Sequence, residues 1–336
     1  MSTVGVGVIG LGFIGHTHIA SYAAAGARLV AVCDRGRDAL SGRAPNTGNI
    51  EGAAPERSFD PAALNATDDV DAFLATPGLE LVSICTPTDT HEALARRVID
   101  AGKHLIIEKP VALCSEVVAS LGAAAEQAGV LCMPAMCMRF WPAWAWVKDA
   151  AADGRYGAVC SARFERLGAR PTWGEGFYSD DARSGGAIFD LHIHDTDFIT
   201  HLFGTPDSVL SVGDRDHVST VYRFDDGPRH VSAQGGWLRS DAWGFRMRML
   251  VEFESAVADF DLGRDPELRV CLASGEEMTP ELSDAHGWAV EIAQMIAAVA
   301  TSAGAAPATM ASAAVSTRVL EAELASLTSG GVVTLS

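Results

Sequence analysis

Apolar and polar positions change their period along this chain, and the changes mark its elements. Residues 4–9, 29–33, 81–85 and 104–107 are short, β-branched apolar runs of strand length. Between and after them, residues 14–25, 91–101 and 115–128 repeat apolar positions at helical spacing, and 130–133 reads as one more strand. Strands alternating with helices imply parallel pairing through right-handed crossovers, hence a doubly wound sheet. The texture changes after Met133. Residues 157–167, 208–212, 219–224, 230–237, 246–254 and 257–262 read as consecutive strands joined by turn signals such as Asp225-Asp226-Gly227-Pro228. Such a succession predicts an antiparallel sheet. Helices are expected at 188–203, 287–302 and 308–327. The fold class is therefore α/β, a Rossmann-type domain over 1–133 followed by an α+β domain with a large, mostly antiparallel open sheet over 134–336. Residues 36–57, rich in Gly, Pro and Asn, predict a long loop.

Composition narrows the function classes. The 336 residues suffice for two domains, and 25 basic against 43 acidic residues give a formal charge of -18. That balance argues against nucleic acid and anionic membrane surfaces as partners. Seven scattered cysteines without a Cys-x-x-Cys pair argue against a disulfide framework or a zinc site. The N-terminus lacks the basic region of a signal peptide, and no run approaches the ~20 apolar residues that span a bilayer. A reduced, cytoplasmic setting is the expectation.

Three motifs carry candidate chemistry. The first is Gly10-Leu11-Gly12-Phe13-Ile14-Gly15, set between a predicted strand and a predicted helix. Glycines there permit a tight turn and close approach of backbone to a pyrophosphate, while the helix N-terminus supplies amide donors. Asp34 closes the second strand, 19 residues after Gly15, where a carboxylate can accept from ribose hydroxyls. Asp34 favours NAD, since a 2′-phosphate would meet its charge. The adjacent Arg35 could stack on adenine or pair with that phosphate, which leaves NADP open. The second motif runs through Thr86-Pro87-Thr88, His91 and Glu108-Lys109-Pro110, at the carboxyl ends of predicted strands where open α/β sheets bind ligands. The third is Gly185-Gly186 followed by Asp190, His192 and His194. On a helix Asp190 and His194 share a face, a pairing that suits a general base held by a carboxylate. Asp190, His192 and His194 also resemble a metal-ligand cluster, but His192 and His194 would point about 160° apart on such a helix, which argues against shared ligation unless the helix starts only after His192.

Together the motifs resemble the glucose–fructose oxidoreductase / inositol dehydrogenase / rhizopine catabolism (Gfo/Idh/MocA) family. The resemblance rests mainly on Cys85-Thr86-Pro87-Thr88 … His91 … Ala101-Gly102-Lys103-His104 … Glu108-Lys109-Pro110 and on the Gly185 to His194 run. It implies a catalytic lysine at Lys109 and a catalytic pair at Asp190 and His194. It also implies cofactor contacts from Glu108 and Lys109, a cis bond before Pro110, and an open sheet that makes the oligomer interface of a homodimer or homotetramer. His192 stands where the family usually has glycine, so a second imidazole could enter the substrate pocket or simply pack.

These residues predict oxidation of a secondary alcohol on a sugar, cyclitol or related polyol. His194 would take the hydroxyl proton, Asp190 would orient it, and Lys109 would steady the developing charge on oxygen. Arg139, Trp173 and His192 are further substrate-pocket candidates. Trp141, with Trp144 three residues on, is either a sugar-stacking surface or a packed helix face. Two other readings use the same residues: a redox-neutral NAD-dependent glycosidase, and a non-catalytic sensor of dinucleotide and sugar.

Overall fold

The computed structural model describes residues 3–44, 58–174, 176–302 and 304–335. They form two compact units, one made of Met1–Cys137 and His286–Ala314, the other of Met138–Ala285 and Val315–Ser336.

The first unit is built on strands β1 (Gly5–Ile9), β2 (Arg28–Cys33), β3 (Asn65–Thr67), β4 (Leu81–Ile84), β5 (His104–Glu108) and β6 (Cys132–Ala135). They pair in parallel in the order β3-β2-β1-β4-β5-β6, so the order reverses between β1 and β4. Every residue of β1 and β4 is buried, which explains their unbroken apolar runs: a parallel sheet covered on both faces has no solvent side to mark. Helices α1 (Phe13–Ala24), α2 (Val70–Leu74), α3 (His91–Asp100) and α4 (Ser115–Ala128) supply the crossovers. Of the loop expected at 36–57, residues Ala39–Ser41 form a short 3-10 turn, and 45–57 lie outside the described residues.

The second unit carries helices α5 (Pro142–Asp153), α6 (Asp181–Ser184) and α7 (Ile193–Phe203). Its strands are β7 (Val159–Ala169), β8 (Ser208–Gly213), β9 (His217–Arg223), β10 (His230–Leu238), β11 (Phe245–Phe253), β12 (Ala256–Asp261), β13 (Leu268–Leu272), β14 (Glu277–Met278) and β15 (Val333–Thr334). They form one nine-stranded sheet, β14-β13-β12-β11-β7-β10-β9-β8-β15, antiparallel except for the β7–β10 pair. Strict alternation along β12 gives one face to the core. There the ring of Trp144, from α5, lies 4.8 Å from that of Phe198, 5.7 Å from that of Phe164 and 6.1 Å from that of Phe260. The other face is open. Val221, Ser232, Arg163, Leu250 and Asp259 stand side by side across it, with Val221 and Leu250 exposed.

The last two helices are α8 (Gly287–Ala300) and α9 (Met310–Ser329), and α8 returns to the first unit to pack on α1.

One expected helix is divided. Residues 188–203 comprise a π-turn, Ile188–His192, and then α7. Gly185 and Gly186, both left-handed, feed the turn, and the Ile188 N–H donates to the Arg215 carbonyl at 3.0 Å. The wide turn brings His192 fully inside, against Gly235 of β10, where any Cβ would stand 2.6 Å from the His192 Cβ. Gly235→Ala is therefore expected to lower the unfolding free energy by about 1–3 kcal/mol, read as a lower urea midpoint. Gly263→Ala, with only an ordinary contact at 3.5 Å, should stay within about 0.5 kcal/mol.

Candidate functional site

In the first unit the predicted cofactor residues gather at the carboxyl ends of β1, β2, β4 and β5. Gly10 has φ 92° and its missing Cβ would strike the Cys85 carbonyl at 2.6 Å, so β1 and β4 close together only over glycine. A Cβ on Gly15 would overlap the Gly10 carbonyl oxygen. Gly12 differs: nothing stands within 4 Å of where its Cβ would be. No side chain caps α1, so open space lies before the amides of a helix start flanked by Phe13 and Ile14. This is the cradle a pyrophosphate requires. The Asp34 carboxylate accepts from the Leu11 N–H at 2.8 Å and the Gly36 N–H at 2.7 Å, tying the end of β2 to the glycine turn. Arg35 is exposed beside it.

The second motif is a set of braces. The Thr90 hydroxyl donates to the Pro87 carbonyl at 2.7 Å and so receives from Thr86, also at 2.7 Å. Thr88 is buried at the start of this turn. His91 is buried, its Nε2 2.8 Å from the Thr86 carbonyl and its Nδ1 3.0 Å from that of Pro110. Burial lowers its pKa, partly offset by those carbonyls. The ring therefore faces protein on both nitrogens and braces the ends of β4 and β5. The Lys109–Pro110 bond is cis.

Glu108 is 5 % exposed and both carboxylate oxygens are engaged within the protein. Oε1 is 3.0 Å from His18 Nε2, and Oε2 accepts the Lys109 N–H at 3.0 Å. Glu291, on α8, is fully buried nearby and neither of its oxygens has a hydrogen-bond partner among the described residues. Burial, and then the charge of Glu108, push its pKa well above the ordinary value. The neutral form of Glu291 is favoured by this surrounding.

In the second unit, Asp190 and His194 are half-buried on the π-turn and the first turn of α7. Trp237 Nε1 donates to Asp190 Oδ2 at 3.3 Å. Tyr178 packs edge-on against Trp237 at 5.8 Å, and Trp173 against Tyr178 at 6.1 Å, so an aromatic wall extends from Asp190 to the half-buried Trp173.

The remaining pocket candidates turn inward. His192 Nε2 lies 2.8 Å from Glu323 Oε2, and the same buried carboxylate accepts from Thr196, Thr220 and Tyr222 at 2.9–3.1 Å. Arg139 holds Asp197 through two bonds, Nε–Oδ2 at 2.8 Å and Nη2–Oδ1 at 2.6 Å, with side chains 7 % and 1 % exposed. Trp141 and Trp144 are core residues. Arg139 and His192 therefore have internal partners, and Trp141 is buried. The sequence reading missed His18, Glu291 and Glu323. Only the recurrence of polar residues on α1, at His16, His18, Ser21 and Tyr22, hinted that part of its buried face is polar.

Comparisons with known proteins agree with this geometry. A family model described as an oxidoreductase family with an NAD-binding Rossmann fold matches residues 4–136, and a Gfo/Idh/MocA C-terminal domain model matches 144–254. An inositol 2-dehydrogenase of Rhizobium meliloti (strain 1021) is 30 % identical over 328 residues, covering 91 % of each chain. A scyllo-inositol 2-dehydrogenase (NAD(+)) of Bacillus subtilis (strain 168) is 29 % identical over 66 % of this chain and 64 % of its own length. A levoglucosan dehydrogenase solved with NADH and levoglucosan shares the fold along the whole of both chains, with TM-score 0.84 at 21 % identity. No helix among the described residues is long and apolar enough to cross a membrane.

Glu291 makes stability depend on pH. Its pKa is raised on folding, so its contribution is full below about 4.5 and is lost as pH rises toward the folded value. Glu291→Gln removes that loss. Its melting temperature relative to the native protein should climb steadily from pH 5 to pH 8, and a pH-independent difference would refute a neutral Glu291.

Proposed function

From the premise that the chain belongs to the Gfo/Idh/MocA oxidoreductase family, we propose that it oxidises a secondary alcohol of a cyclic polyol or sugar with NAD. The match along nine-tenths of an inositol 2-dehydrogenase carries this reading, and it makes inositol-type cyclitols the first substrates to try. The residues fit the cofactor: an open cradle before α1 at Gly12, a carboxylate at Asp34, and braced strand ends at Thr86 and Glu108. A bound nicotinamide would supply the hydride acceptor for the carbinol carbon. His194 takes the hydroxyl proton on a ring nitrogen, and Asp190, itself held by Trp237, keeps that ring oriented. Lys109 donates a hydrogen bond to the reacting oxygen and stabilises the charge that grows there. Trp173 offers an indole surface for the apolar face of a sugar ring. The open face of the nine-stranded sheet, with Val221 and Leu250 exposed, is the surface through which copies would pair as a homodimer or homotetramer.

The test is a panel of cyclitols and sugars assayed for net reduction of NAD and NADP separately. Net NADH formation with a free polyol supports the dehydrogenase; cleavage of a glycoside without net NADH would replace it by the redox-neutral hydrolase. His194→Ala should lose at least about a hundredfold in kcat and keep NADH affinity. Unchanged turnover would remove His194 from its role. Asp34→Asn, which keeps an acceptor for the glycine turn but removes the charge, should improve kcat/KM for NADP relative to NAD by about tenfold.

A further inference from the structure

His18 lies on α1, beyond the glycine turn, and is buried completely. Its two ring nitrogens join an unbroken chain of hydrogen bonds. Tyr22 OH is 2.6 Å from Ser83 Oγ, Ser83 Oγ is 2.9 Å from His18 Nδ1, and His18 Nε2 is 3.0 Å from Glu108 Oε1. The chain ends where Glu108 Oε2 accepts the backbone N–H of Lys109.

The direction of the protons follows from the ends. The Lys109 N–H marks Glu108 as the accepting end, and the Tyr22 hydroxyl at the other end donates to Ser83. Ser83 then donates to Nδ1, which leaves the His18 proton on Nε2, pointing at Glu108. Glu291, the other buried carboxyl here, has its pKa raised by burial and then by the charge of Glu108. Glu108 has donors from His18 and Lys109, whereas Glu291 has none.

We propose that His18 is a positioning residue for Lys109, acting through Glu108. With its orientation fixed by His18, Glu108 holds the Lys109 backbone, from which the lysine side chain departs. A displacement of ~1 Å in a catalytic group costs about a hundredfold in rate, so a brace one residue away is consequential. The inference rests on the dehydrogenase reading only for what Lys109 then does.

Lys103, Lys109 and Lys148 are the only lysines in the sequence, which makes the test direct. After reductive methylation with ¹³C-formaldehyde, the Lys109 resonance is assigned by its loss in Lys109→Arg, and its displacement on adding NADH is followed. The amide nitrogen of Gln reaches where His Nε2 stands, and that of Asn only where Nδ1 stands. His18→Asn should therefore lose at least about half of the NADH-induced displacement. It should also lower kcat about tenfold while leaving KM for NAD within about threefold. His18→Gln should restore both. Asn and Gln variants that behave alike, or an Asn variant indistinguishable from the native protein, overturn the proposal.

Should His18→Asn fail to fold, Ser83→Ala removes the donor that sets the His18 proton. It should diminish the Lys109 displacement, and an unchanged displacement overturns the proposal equally. If no polyol is oxidised by the native protein, the dehydrogenase reading fails, while the resonance still decides the role of His18.

Discussion

A carboxylate cut off from water must be surrounded by donors or give up its charge, and this constraint orders the interior of both units. Glu323 meets it with four donors, from His192, Thr196, Thr220 and Tyr222. Asp197 meets it with two arms of Arg139 and the hydroxyl of Ser316. Asp195 does so with Arg166, which also lies over the face of Trp144. Glu108 takes His18 and the Lys109 amide. Glu291, with no donor, takes a proton instead. Each satisfied carboxylate ties together elements far apart in sequence, and each fixes the orientation of the side chains that serve it.

These ties bear on the proposed catalysis because the residues proposed to carry it are attached to the same elements. Asp190 and His194 flank His192 on one stretch of chain, and His192 is anchored from behind by Glu323. The π-turn thereby gives its residues opposite duties, one histidine bound into the interior and the next left half-buried. In the first unit the lysine assigned to the reacting oxygen follows directly on a buried, doubly bonded glutamate. Rigid support of this sort lets a site hold geometry without spending substrate binding energy on ordering it.

The periodicities exposed most of the architecture. Strands β1, β2, β4 and β5 were visible as apolar runs because a doubly covered sheet needs nothing else, and the β7–β12 strands because the open sheet forces alternation. Strands β14 and β15, two residues each, have no period to read. The π-turn was hidden because it goes with a contact between His192 and a glutamate 131 positions away, which local spacing does not encode. Arg139 and His192 looked like pocket residues because charge in an apolar context suggests a ligand. Their partners, Asp197 and Glu323, instead show charge used for construction. The glycine turn was readable because the close approach of backbone at Gly10 and Gly15 dictates residue type directly.

The return of α8 to pack on α1 has a consequence for synthesis. Residues 1–137 leave the ribosome first, but the helix that completes their unit begins only at Gly287. At ordinary elongation rates of roughly 5–20 residues per second, the nascent Rossmann sheet waits on the order of ten seconds or more with one flank of α1 uncovered. During that interval the second unit's strands are being made and are searching for partners of their own. A chain shortened to its N-terminal half would keep the glycine turn, and would present to other nascent chains the surface that α8 normally closes.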